Sequence, residues 1–198
     1  MSRLRKFVAY RRIERAYTRV SKYRKKAFIR MDPHPHIVRF DMGNTLAKFP
    51  YVVQLRAKHS LQIRDNALES ARTSCNKILE EKAGKNNYRF VIRTYPFHVL
   101  RENPLAAGAG ADRLSTGMSH SFGKPIGLAA QISHGQPLFE VRVNKEHVEI
   151  AKDALKCASY KLPLNYLIVA QKKDRKETAK VPVIRRTKVI AEAIAVTA

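Results

Sequence analysis

The apolar residues of this chain fall into short alternating runs and two longer stripes at helical spacing. His36-Ile-Val-Arg-Phe40 alternates like a strand and leads to a turn at Asp41-Met-Gly43-Asn44. Pro50 to Arg56 predicts a second strand, and its apolar run at Tyr51, Val52 and Val53 fits burial on both faces. Asn66 can cap a helix, with Glu69 three residues on as in a capping box. Leu68, Ala71, Cys75, Ile78 and Leu79 form its inward stripe, and Gly84 stops it. Tyr88 to Tyr95 predicts a strand with Phe90 and Ile92 on one face and Arg89, Val91 and Arg93 on the other. Pro96 closes that strand. Gly127 to Ile132 and Leu138 to Val143 predict two more, joined through residues 133–137. Asn144 can start a second helix running to about Lys161, with Val148, Ala151, Ala154, Leu155 and Ala158 facing inward. Pro163 ends it, and Tyr166 to Val169 makes a last strand. This order predicts an α+β two-layer sandwich, with two helices packed on a mixed sheet. Leu68, Ile78, Phe90, Ile92, Val141 and Leu155 are its expected core.

One stretch has no period. Residues 102–124 hold Gly108, Gly110, Gly117 and Gly123 among small residues. A loop longer than about 12–15 residues inside a compact domain is usually functional or disordered.

Charge changes the picture. The 198 residues carry 39 Lys and Arg against 16 Asp and Glu, a net +23. A compact domain with that excess repels itself unless a polyanion neutralises it. Most of the excess sits at the ends. Arg3, Arg5, Lys6, Arg11, Arg12, Arg15, Arg19, Lys22, Arg24, Lys25, Lys26 and Arg30 face one acid, Glu14, in the first thirty residues. A second basic run after residue 172 includes Arg185 and Arg186. The expected organisation is a basic extension over 1–35, a globular body over 36–171 and a basic tail over 172–198. Phe7, Tyr10, Tyr17, Tyr23 and Phe28 lie among the N-terminal cations, where rings can stack on unpaired bases while the cations meet phosphates. On the body, Arg89 and Arg93 share a strand face suited to RNA or solvent, and Lys124 lies at the end of the glycine-rich stretch.

Other chemistries are poorly supported. No apolar run reaches the about 18 residues of a membrane span, and no apolar stretch follows the basic N-terminus as in a secretory signal. The Arg-rich start resembles a mitochondrial transit peptide in charge, but its Tyr and Lys content and two serines argue against that. The basic extension lacks the clean apolar face that membrane-surface binding needs. Gly108-Ala-Gly110-Ala-Asp-Arg113 starts like a dinucleotide fingerprint but has Arg113 at the third glycine position. His34, His36, His98, His120, His134 and His147 show no metal-ligand spacing. Ser119-His120-Ser121 are sequence neighbours rather than a triad, and Glu102 and Asp112 fit ion pairs better than acid–base work. Cys75 and Cys157 fit two small buried hydrophobes in a reducing compartment. No catalytic residue, metal, cofactor or small-molecule substrate is expected. An RNA-processing or RNA-modifying enzyme with basic tails is the alternative.

Several runs resemble one family. Tyr95-Pro-Phe-His-Val-Leu-Arg-Glu-Asn103, Ala109-Gly-Ala-Asp-Arg-Leu-Ser-Thr-Gly-Met118 and Phe122-Gly-Lys-Pro-Ile-Gly-Leu-Ala-Ala130 are similar to the universal large-subunit ribosomal family called L-sixteen in bacteria and L-ten-e in archaea and eukaryotes. Asn66 to Arg72 and Arg39 to Asn44 resemble its archaeal branch, and the likeness spans about residues 36–170. The N-terminal extension is longer than in most members.

The resemblance implies a two-layer α+β sandwich containing a β-hammerhead, and a place in the cytoplasmic ribosome. It also implies binding to large-subunit rRNA near the aminoacyl-tRNA site, beside neighbouring ribosomal proteins. A long loop, mapping to residues 102–117 here, would point toward bound tRNA and the peptidyl-transferase centre. Glu102, Asn103, Gly108, Gly110, Asp112, Arg113 and Gly117 are its candidate tRNA-facing residues. The family's Gly-Lys-Pro stretch maps to Gly123, Lys124 and Pro125. The family usually carries Arg after the Gly-Met pair, whereas Ser119 follows Met118 here. That arginine's RNA contact therefore does not carry over, and Arg113 and His120 are the candidates to replace it.

Overall fold

The structure is a computed structural model and describes residues 5–13, 16–18, 29, 33–103 and 122–172. Among these, the strands in chain order are β1 (Asp41–Gly43), β2 (Tyr51–Ala57), β3 (Leu61–Arg64), β4 (Tyr88–Ile92), β5 (His98–Glu102), β6 (Lys124–Ile132), β7 (Pro137–Val143) and β8 (Tyr166–Lys172). Helix α1 (Asp65–Lys82) follows β3, and α2 (Val148–Ser159) follows β7 after a short 3-10 turn. The class is α+β, as the stripes and alternation predicted.

The strands form a five-stranded sheet in the order β1-β4-β7-β2-β8 and a three-stranded sheet in the order β3-β6-β5. Every pairing in both is antiparallel, so the expected mixed sheet is corrected. Among the described strands, only the paired β5 and β6 follow one another in the chain, across the long loop, and the other pairs bring together segments distant in sequence.

Both helices cover one face of the five-stranded sheet and pack on each other. Leu68, Ala71, Cys75 and Leu79 of α1 are buried, while Ile78 of the predicted stripe is only partly so. From α2, Ala151, Ala154, Leu155 and Ala158 are buried. They meet Val53, Leu55, Phe90, Phe139 and Val141 of the sheet, none of which is exposed. Phe90 and Phe139 pack edge to face at 5.5 Å. Leu61, Ile63, Ala130 and Ile132 of the smaller sheet extend the same core.

Four local expectations change. Residues 36–40 are not a strand. The His36 N–H donates to the buried Asp65 carboxylate at 3.1 Å, and the Val38 N–H to Glu69 at 3.4 Å. These donors are spent on α1 side chains, so no ladder forms, yet Ile37 still reaches the core. The strand instead starts at Asp41, where a turn was expected. It ends at Gly43 with φ +83, and a Cβ there would lie 2.3 Å from the Tyr88 carbonyl. Helix α1 starts at Asp65, two residues before the start an Asn66 cap would set, so Asn66 lies in its first turn and does not cap it. Glu69 pairs with Arg72 rather than closing a capping box; burial raises its pKa, but the Arg72 hydrogen bonds and charge outweigh this and leave it below the usual carboxylate value. Finally, β2 is buried on one face only, with Val52, Gln54 and Arg56 half-covered on the other.

Candidate nucleic-acid interface

The face of the five-stranded sheet away from the helices is built by the alternate strand positions. The register sets Asp41 beside Val91, Val91 beside Glu140 and Glu140 beside Gln54. One step along, Arg89 lies directly opposite Arg142, and Arg142 opposite Val52. Arg56 and Arg93 complete a face of four arginines against two carboxylates, Asp41 and Glu140. Like charges directly opposite one another destabilise a sheet. Each of the opposed arginines is tied instead to a carboxylate.

Arg89 donates through Nε to Asp41 at 3.1 Å and again through its terminal nitrogen, which holds the guanidinium pKa above its ordinary value. Arg142 Nε donates to Glu140 at 2.7 Å. The Glu140 side chain is only 7% exposed and also faces Arg93 at 3.7 Å and the Gln54 amide at 3.2 Å. Gln54 in turn accepts from Arg56. The carboxylates thus hold the guanidinium groups extended across the sheet, and half of the Arg93 side chain stays open to solvent. Preset cations on a stiff surface lose little entropy on meeting phosphates.

The smaller sheet carries the base of the long loop. Glu102 on β5 pairs with Lys124 on β6, so the loop leaves and returns side by side. The N-terminal extension straps this base. The Val99 N–H donates to the Tyr17 carbonyl at 2.9 Å, a backbone bond at the β5 edge of the sheet. The Tyr17 N–H donates to His98 Nδ1 at 2.8 Å, which requires that nitrogen unprotonated. Arg101 lies between the rings of Tyr17 and Phe122, 3.7 and 3.9 Å from their centroids, and donates to the Phe122 carbonyl. Arg5 donates to Glu102 at 2.7 Å. Upstream, Gln62 donates to the Tyr10 carbonyl and Arg64 sits over the Tyr10 ring.

Among the sequence-predicted cations, Lys6, Arg11, Arg12, Arg93 and Lys124 are exposed, Arg89 is half-covered and Arg5 is committed to Glu102. Arg3, Arg15, Arg19, Lys22, Arg24, Lys25, Lys26, Arg30, Arg185 and Arg186 lie outside the described residues, as do Gly108, Gly110, Asp112, Arg113 and Gly117 of the loop. Glu102 and Asn103 stand at the loop's exit. Phe7, Tyr10 and Tyr17 turn to the body rather than outward. Tyr23 and Phe28 also lie outside the described residues. Arg56 and Arg142 were not singled out in the sequence, although each sits at an outward position of its strand. Cys75 is buried as expected, while Cys157 is half-buried. Among the described residues there is no cluster of His, Cys, Asp or Glu that could hold a metal, and no helix long and apolar enough to cross a membrane.

The family model described as ribosomal protein L16p/L10e matches residues 18–169. The chain belongs to the ribosomal protein L16p/L10e family. It is 46% identical over 163 residues to the large ribosomal subunit protein uL16 of Archaeoglobus fulgidus, covering 82% of this chain and 90% of that protein. The protein of the same description from Staphylothermus marinus is 50% identical over 157 residues, covering 78% of this chain and 90% of its own length. That of Methanococcus maripaludis is 46% identical over 169 residues, with 85% and 95% covered. The L16p/L10e match takes in nearly all of the body and the long loop, and begins just after Tyr17 of the strap. The family is one of structural ribosomal proteins, which sets aside the enzyme alternative.

Proposed function

We propose that this large-subunit protein binds rRNA near the aminoacyl-tRNA site and helps position tRNA through the loop over 102–117. Ribosomal RNA and neighbouring ribosomal proteins are its partners. The N-terminal and C-terminal cations, together with Arg89, Arg93 and Lys124, meet rRNA phosphates, and Glu102 through Gly117 face the tRNA.

The observation that carries this reading is the strapped loop base. A long loop of glycine and small residues contributes little to folding, and its composition is nearly neutral. A stem fixed by Arg101 between two rings, by the Arg5–Glu102 pair and by the Tyr17 backbone suits a loop whose job depends on where it points.

Removing Pro104 to Ala111 tests it. The shortened protein keeps its thermal melting and its occupancy of the large subunit, while peptide synthesis slows or subunit maturation stalls. Loss of folding would place the loop in the core. Normal synthesis at full occupancy would remove its functional role.

A further inference from the structure

The extended segment leaving β4 carries an alternation that the core does not need. From Tyr88 to Phe97 every second residue is covered, including Ile92, Thr94 and Pro96. The residues between them point outward, and after Arg89 and Val91 come Arg93, Tyr95 and Phe97. Tyr95 is 54% exposed and Phe97 44%. The Phe97 N–H donates to the Tyr95 carbonyl at 3.1 Å, closing a tight turn around buried Pro96 that holds both rings on the outer side. One exposed ring needs no explanation. Here two follow one another on the same ridge, directly beyond a half-exposed guanidinium.

The ring of Tyr95 is also prepared. Phe40 stacks on it at 5.4 Å between centroids and 25° between planes, and exposed Arg39 precedes Phe40. One face of Tyr95 is therefore supported from within, and the remaining exposure is open for a further layer. Every base has a π-face, and base–aromatic stacking tolerates any sequence. In single-strand binding, cations follow the phosphate backbone while neighbouring rings stack on its bases.

We infer that Tyr95 and Phe97, with Arg93 at their edge, form a stacking site for an unpaired RNA base. The inference deepens the proposed rRNA binding and rests on it. It differs from phosphate contact in needing a single-stranded or extruded nucleotide, and in depending on rings rather than charge. An apolar side chain of a neighbouring protein is the competing occupant; the high positive charge of the chain and the flanking arginines favour RNA.

The full chain is titrated with a uridine homopolymer and with a fully paired RNA duplex of equal length, across a salt series. Tyr95→Ala and Phe97→Ala each lose about tenfold in affinity for the single strand, with the slope of log K against log salt unchanged. Tyr95→Phe retains wild-type affinity, and none of the three changes duplex binding. The chain has no tryptophan, so Tyr95→Trp supplies a lone reporter. Its fluorescence is quenched by the single strand and not by the duplex, a readout that a folding defect would not produce. Unchanged single-strand affinity in both alanine variants, or an equal loss on the duplex, overturns the stacking site. So does lost subunit occupancy at unchanged RNA affinity, which would assign the ridge to a protein neighbour. Failure of the underlying reading looks different: the wild type would bind neither RNA with salt dependence, and Arg93→Ala would be silent.

Discussion

The two faces of the five-stranded sheet use the same backbone for opposite ends. On the helix side, Val53, Leu55, Phe90, Phe139 and Val141 are shut from water and hold the body together. On the other side, positions one residue removed place Arg89 against Arg142 and suspend Arg93 beside a buried carboxylate. The inner face minimises free energy by burial, at about 25 cal/mol for each Å² of apolar surface. The outer face accepts like-charge proximity that a purely structural sheet would avoid. The lesson is a division by strand parity: apolar burial on one set of alternate residues, paired guanidinium and carboxylate groups on the other.

The largest expected effect tests the inner face. Phe139→Ala removes a fully buried ring packed against Phe90 and costs about 3–5 kcal/mol, and Leu155→Ala costs about 2–5 kcal/mol. Denaturant unfolding measures both, and a wild-type midpoint for Leu155→Ala would show that α2 presents a different face. The protein that remains folded should keep its salt dependence of RNA binding.

Deleting residues 1–30 shifts the comparison from faces to regions. It removes twelve Lys and Arg. For every phosphate those cations neutralise, the slope of log K against log salt should fall by about 0.7–0.9. A slope unmoved by the deletion would transfer the electrostatics to the outer sheet face.

Within that face, Arg142→Ala should cost below about 1 kcal/mol in stability, because its ion pair is partly exposed. Its RNA slope should nevertheless fall by the amount of about one neutralised phosphate. Glu140→Ala should do the reverse. It leaves Arg93, Arg142 and Gln54 without their shared acceptor, costs about 1–3 kcal/mol, and does not weaken RNA binding. Identical behaviour of the two variants in both assays would collapse the distinction between holding the face and using it.

The smallest effect concerns thiols. Burial, with Cys157 nearby, pushes the Cys75 thiol far above its ordinary pKa. In the native protein at neutral pH, an alkylating reagent should modify half-buried Cys157 first and leave Cys75 intact until unfolding. Mass spectrometry of the labelled protein reads the order directly.

Local periodicity made much of this legible. The stripes of α1 and α2 and the alternation from Tyr88 onward are properties of contiguous residues. A chain that must bury one face of a helix or strand writes that face at a spacing of 3.6 or 2. The basic ends and the glycine-rich stretch are equally local. Strand β3, only four residues long and running straight into α1, left no separable signal.

The sequence by itself therefore determined the class, the helix faces, the two-sided character of β4 and the anionic nature of the partner. Tertiary structure alone decided which cations meet. Arg89 faces Arg142 because β4 and β7 pair in one register, and a shift of a single residue would have turned that set of side chains to the core. It also decided that Tyr10 and Tyr17 clamp the body while Tyr95 and Phe97 stand outside. All four are aromatic residues near cations in the sequence, and only the packing of distant segments determines which rings are covered and which stay open.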